Sequence, residues 1–126
     1  MHTVLDSLHE LELVSTTYDG VSLTALVVEL VVDGGGRVSQ GSRRYVVSFP
    51  APIAYALTEE FPASCADWIR GEDDGFLRKI DNPSLRASLG LDLEQFQGSK
   101  GYALITAHEV LVAYCGGEPV IVEQAG

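Results

Sequence analysis

The stretch YALITAHEVLVAYCGGEPVIVE (102–123) holds three residue types that carry chemistry: His108, Glu109 and Cys115. A histidine can activate a thiol when the two lie within hydrogen-bond reach, about 3 Å. His108 and Cys115 are seven residues apart, which in an extended segment is roughly 23 Å. A dyad therefore needs a segment that is not extended, and this one is rich in β-branched and aromatic residues that favour the pleat. His108-Glu109 also opens the HExxH zinc signature, but position 112 is Val112 and that signature needs a helix. His2 falls in the terminal segment and His9 at the start of the first strand. An isolated histidine reads as a surface or capping residue. Cys65 and Cys115 form no CxxC and no Cys/His cluster, so they read as reduced, buried, small apolar residues. No catalytic residue, metal ligand or cofactor motif is assigned.

Charged clusters offer other chemistries. Glu59-Glu60 and Glu72-Asp73-Asp74 could hold a cation, but EDDG lacks the alternating ladder of a calcium loop. Gly34-Gly35-Gly36 lacks the Lys-Ser/Thr of a phosphate loop. Arg37, Arg43 and Arg44 carry three of the eight positive charges. They read as edge charges that oppose strand-to-strand aggregation, or as a small nucleic-acid-binding patch.

Positioning these residues falls to a strand-rich chain. Leu8 to Thr17 alternates apolar and charged residues, the pattern of a half-buried strand. Asp19-Gly20 predicts a two-residue type I′ hairpin turn, with 21–32 as the return strand. Asp33 to Ser42 reads as a flexible loop and 43–49 as a third strand. Pro50-Ala51-Pro52 interrupts the ladder, since proline cannot donate. The strand resumes at 53–60, bent or on another edge. Pro62 and Ser64 predict one or two helical turns carrying Trp68, and 75–80 a short strand. Asn82 as cap, Pro83 in the first turn and Gly90 past the end give the clearest helix, with a further helical turn over 91–96. Three more strands follow, at 102–107, 110–115 and 120–123, with Ala107 to Glu109 in a turn. VLVAYC (110–115) is apolar at every position, so it is covered on both faces by its own chain or by a copy of itself.

The 126 residues predict a single domain (1–126), mainly β (α+β). A strongly bent antiparallel sheet of five to seven strands, or a partly open small barrel similar to the Sm or SH3 kind, would carry one or two short helices inserted at about 62–97. An apolar fraction of 46% and a charged fraction of 21% are those of a globular chain. No apolar run is long enough to span a membrane, and the N-terminus lacks a signal-peptide pattern, so the expected compartment is the cytoplasm. The net charge of −10 repels nucleic acid and anionic lipid and favours a basic protein partner.

The order of elements, with Tyr45, Phe49, Ala54-Tyr55, Glu59 or Glu60, Asn82, Ser84, Gly98, Tyr102, Thr106 and Glu118-Pro119, resembles a loose group of small bacterial proteins of the toxin-immunity kind. Pro50-Ala51-Pro52 departs from that pattern. The resemblance implies a non-enzymatic protein-binding module and supplies no catalytic residue. Glu59, Glu60, Trp68, Glu72, Asp73 and Asp74 are the candidate contact residues, with Trp68 as aromatic anchor or as core. The alternative is a small barrel binding RNA or peptide through Arg37, Arg43 and Arg44.

Overall fold

Alternation in the first fifty residues builds an antiparallel meander. In the computed structural model, which describes residues 3–58, 75–81, 83–91 and 94–124, β1 (Glu10–Tyr18), β2 (Ser22–Val32) and β3 (Val38–Pro50) pair in sequence order. The β1–β2 turn is not type I′. Only Gly20 takes a positive φ, +92°, because Asp19 stays in the ordinary region and its carboxylate accepts the N–H groups of Val21 and Ser22, both at 2.8 Å. These bonds hold the Asp19 carboxyl below the usual range, the Ser22 bond first. The residues expected to form a loop before Arg43 are largely strand: Val38, Ser39 and Gln40 pair with Val32, Val31 and Leu30, and the register jumps between Gln40 and Arg44.

The chain changes sheet at the Pro-Ala-Pro interruption. β3 ends at Pro50, Ala51 adopts a left-handed φ of +46°, and β4 (Pro52–Thr58) begins a second sheet. That sheet has the order β4, β7 (Val110–Cys115), β6 (Lys100–Ile105), β5 (Leu77–Ile80). The chain returns through Gly116 to Pro119 to β8 (Val120–Gln124), which pairs with β3 and completes a first sheet of order β1-β2-β3-β8. The two passages between sheets touch: Ala51 donates to Val21 O at 3.1 Å, and Gly116 donates to Ala51 O at 3.3 Å. The mainly-β antiparallel class follows the sequence reading. Among the described residues its form is eight strands in two four-stranded sheets, and the barrel does not close.

The sheets face each other across one core. Leu11, Leu23, Ala25, Val27, Tyr45, Val47 and Phe49 of the first meet Leu77, Tyr102, Leu104, Leu111, Ala113 and Cys115 of the second. Each large apolar side chain buried this way contributes about 1.5–3 kcal/mol before entropy is counted. A 3₁₀ turn at Val4–Ser7, closed by Thr3 and Asp6 capping one another, adds Leu5 and Leu8 to this core. Tyr18 and Tyr55 meet edge to face across the open side, ring centres 6.1 Å apart.

The second sheet is covered on its far face as well. Helix α1 (Pro83–Ser88) and a 3₁₀ turn (Glu94–Phe96) bring Leu85, Leu89, Leu91 and Phe96 onto Ile80, Ala103, Val112 and Tyr114. The helix ends as expected: Gly90 has φ +73°, Leu91 donates to Arg86 O and Gly90 to Ala87 O, the two bonds of a Schellman cap. The predicted Asn82 cap lies outside the described residues. VLVAYC is thereby explained. Leu111, Ala113 and Cys115 face the inter-sheet core, and Val110, Val112 and Tyr114 face the helix, so the chain itself covers both faces. At Gly101 the second layer packs on backbone. A Cβ there would lie 2.7 Å from the Tyr114 ring and 2.8 Å from the Ile80 carbonyl.

Candidate functional site

The residues that opened the sequence question sit at opposite ends of β7. Cys115 is fully buried, its thiol donating to Gly117 O at 3.2 Å, and burial pushes its pKa up. A buried, protonated thiol is the inert kind. His108 lies exposed in the β6–β7 turn. That turn is closed by Thr106, whose hydroxyl donates to Glu109 O at 2.7 Å and accepts from Glu109 N–H at 3.2 Å.

The same turn docks on β1 through Ala107 N–H to Leu11 O at 2.8 Å. This contact brings His108 to His9 and Glu10. The three share a cavity of about 420 Å³ with Leu30, Val32, Val38 and Ala107. Two histidines that look isolated in sequence are therefore neighbours in space. Among the described residues no group of three or more His, Cys, Asp or Glu side chains is arranged to hold a metal. No sequence signal pairs residues 9 and 108, because their meeting depends on the packing of one sheet on the other.

The outward face of the first sheet has a different character. Cross-strand pairing places Ser15, Leu26, Val46 and Val122 in one row and Thr17, Thr24, Ser48 and Val120 in the next. None of these eight is charged, in a chain with 26 Asp, Glu, Lys and Arg residues. Val120 and Val122 are each 57% exposed, and Leu26 and Val46 half-buried. The following row, Glu12, Val28, Arg44 and Gln124, restores charge at the border, where Gln40 also donates to the Glu12 carboxylate at 2.9 Å. An uncharged centre with a polar rim is the composition of a protein contact surface.

The arginines are dispersed along the β2–β3 hairpin. Arg37 follows the turn, where its N–H donates to Asp33. Arg43 lies in the register break, its N–H donating to Glu29. Arg44 holds a ladder position between Val28 and Gln124. The cavity shared by His9 and His108 includes none of the three. Glu59, Glu60, Trp68, Glu72, Asp73 and Asp74 lie outside the described residues. Among those described, no helix is long and apolar enough to cross a membrane.

No protein-family model matches the chain, and comparison with curated proteins and with solved structures returns no match.

Proposed function

We propose that this chain is a non-enzymatic protein-binding module that presents the outward face of its first sheet to a partner. The observation that carries the reading is the asymmetry of the layers. The inner strands of the second sheet, β6 and β7, are covered on both faces by their own chain and its edge strand β4 exposes Ile53, Tyr55 and Leu57, whereas the first sheet shows two uncharged rows running across all four strands to solvent. Uncharged surface with exposed valines at its centre and a polar rim marks an interaction surface. The net charge of −10 adds long-range attraction for a basic partner, in keeping with an immunity-type role, with Glu59, Glu60, Glu72, Asp73 and Asp74 as steering charges.

The test compares the wild type with the double variant Val120→Glu, Val122→Glu as baits at moderate salt, reading the eluates by mass spectrometry and by their 260/280 nm ratio. Both residues are exposed, so the variant keeps its circular dichroism and melting temperature. A basic protein bound by the wild type and lost by the variant supports the reading. Capture unaffected by the two glutamates, or an eluate dominated by nucleic acid, overturns it. Neutralising the five acidic residues should weaken binding at low salt more than at high salt, because screening already removes that attraction.

A further inference from the structure

The chain contains two lysines, Lys79 and Lys100. Both line one cavity of about 420 Å³ beside α1, where β5 ends and β6 begins, together with Arg86, Asp81, Gln97 and Ser99. Three elements deliver the cations. Lys79 is on β5, Lys100 begins β6, and Arg86 is on α1. The guanidinium of Arg86 is held in place: Nη1 donates to Ser99 O at 3.1 Å, Nη2 donates to Phe96 O at 2.7 Å, and the group lies 5.1 Å from the Tyr114 ring centre. It has five N–H donors, so two carbonyls do not exhaust it.

Protection of a sheet edge accounts for Lys79, since β5 is an edge strand. It does not account for Lys100, since β6 is internal. Nor does it account for a fixed arginine lining the same cavity. Concentrating three cations in one concavity of a chain with net charge −10 works against the overall field of the protein, and their mutual repulsion is relieved by a bound anion. Asp81 offsets one charge and leaves an excess of two. A fixed guanidinium fork beside two mobile ammonium groups is the donor set for a phosphate, and the volume leaves room for a small organic body, as ligand pockets do. We propose that this cavity binds a small phosphate monoester.

The experiment titrates the full chain with inorganic phosphate and with glycerol 1-phosphate, at ionic strength held constant with chloride, following backbone amide resonances. Saturable shifts at residues 79–81 and 99–101 are expected, with glycerol 1-phosphate the tighter ligand. The double variant Lys79→Gln, Lys100→Gln changes only exposed side chains, so it folds, and it should bind both probes at least about tenfold more weakly. Non-saturable shifts, shifts equal in the variant, or preference for a dicarboxylate such as malonate over phosphate would each overturn the assignment.

Discussion

Replacing Tyr102 by phenylalanine should make the protein more stable. Tyr102 is 1% exposed in the inter-sheet core, and its hydroxyl has no hydrogen-bond partner among the described residues. A buried donor left unsatisfied costs about 1–3 kcal/mol. Removing the oxygen forfeits a few dispersion contacts of about 0.1–0.2 kcal/mol each. The net gain is about 1 kcal/mol. At roughly 2.1 cal/mol/K of unfolding entropy per residue, that corresponds to a rise of about 4 °C in Tm. Urea denaturation and calorimetry on both proteins would measure it. The gain should also widen at alkaline pH. Burial first, and then the nearby Cys115 and Glu118, raise the folded-state pKa of this phenol above its ordinary 10.0. A raised acid stabilises fully below its unfolded value and loses that contribution as pH climbs past it, a loss the phenylalanine variant escapes. A decrease in stability of about 1 kcal/mol or more at neutral pH would refute the reasoning and show that the hydroxyl is satisfied in solution.

Other outcomes follow from the same packing. Gly101→Ala places a methyl against the Tyr114 ring and the Ile80 carbonyl and should cost about 1–3 kcal/mol, read as a lower urea midpoint. In a Cys65→Ser background, Cys115 should react with a thiol reagent only after unfolding. Its raised pKa likewise means that stability falls as pH rises past the ordinary cysteine value, a slope that Cys115→Ala should reduce. Ala51→Gly relieves a left-handed conformation costing about 1–2 kcal/mol and adds about 0.4–1 kcal/mol of unfolded-state entropy, so stability should hold or rise slightly. Ala51→Val should lose at least about 1 kcal/mol in the same denaturant assay.

The features legible in the sequence are those governed by near neighbours. Alternation places β1, the Asp19-Gly20 turn makes 21–32 its return strand, the Pro83 and Gly90 signals place α1, and the unbroken apolarity of 110–115 marks a strand covered on both sides. The early part of β3 is hidden because Ser39 and Gln40 have little preference for strand; their pairing partners on β2, Val31 and Leu30, hold them there. The Asp19-Gly20 pair signals a turn but not its form, since the aspartate side chain captures two N–H groups and the hairpin closes one residue later, around Gly20-Val21, with Asp19 N–H donating to Ser22 O. Pro50-Ala51-Pro52 announced a bend without showing that it divides two sheets. Of the sites, the separation of His108 and Cys115 was readable from strand geometry. The meeting of His9 with His108, the gathering of both lysines beside Arg86 and the uncharged outer face all depend on register between segments distant in sequence.

The pairing of β3 with β8 joins residues about eighty positions apart, Arg44 opposite Gln124 at the far end. At a synthesis rate of roughly 5–20 residues per second, the β1–β3 meander leaves the ribosome several seconds before its last edge partner exists. During that interval Val46 and Val47 lie on an open edge, beside the same uncharged rows that face solvent in the folded chain. A neighbouring nascent copy presents an identical edge. The strand that completes the first sheet is therefore also the one that ends its exposure to aggregation, and the yield of folded protein should depend on how quickly residues 120–124 follow the rest.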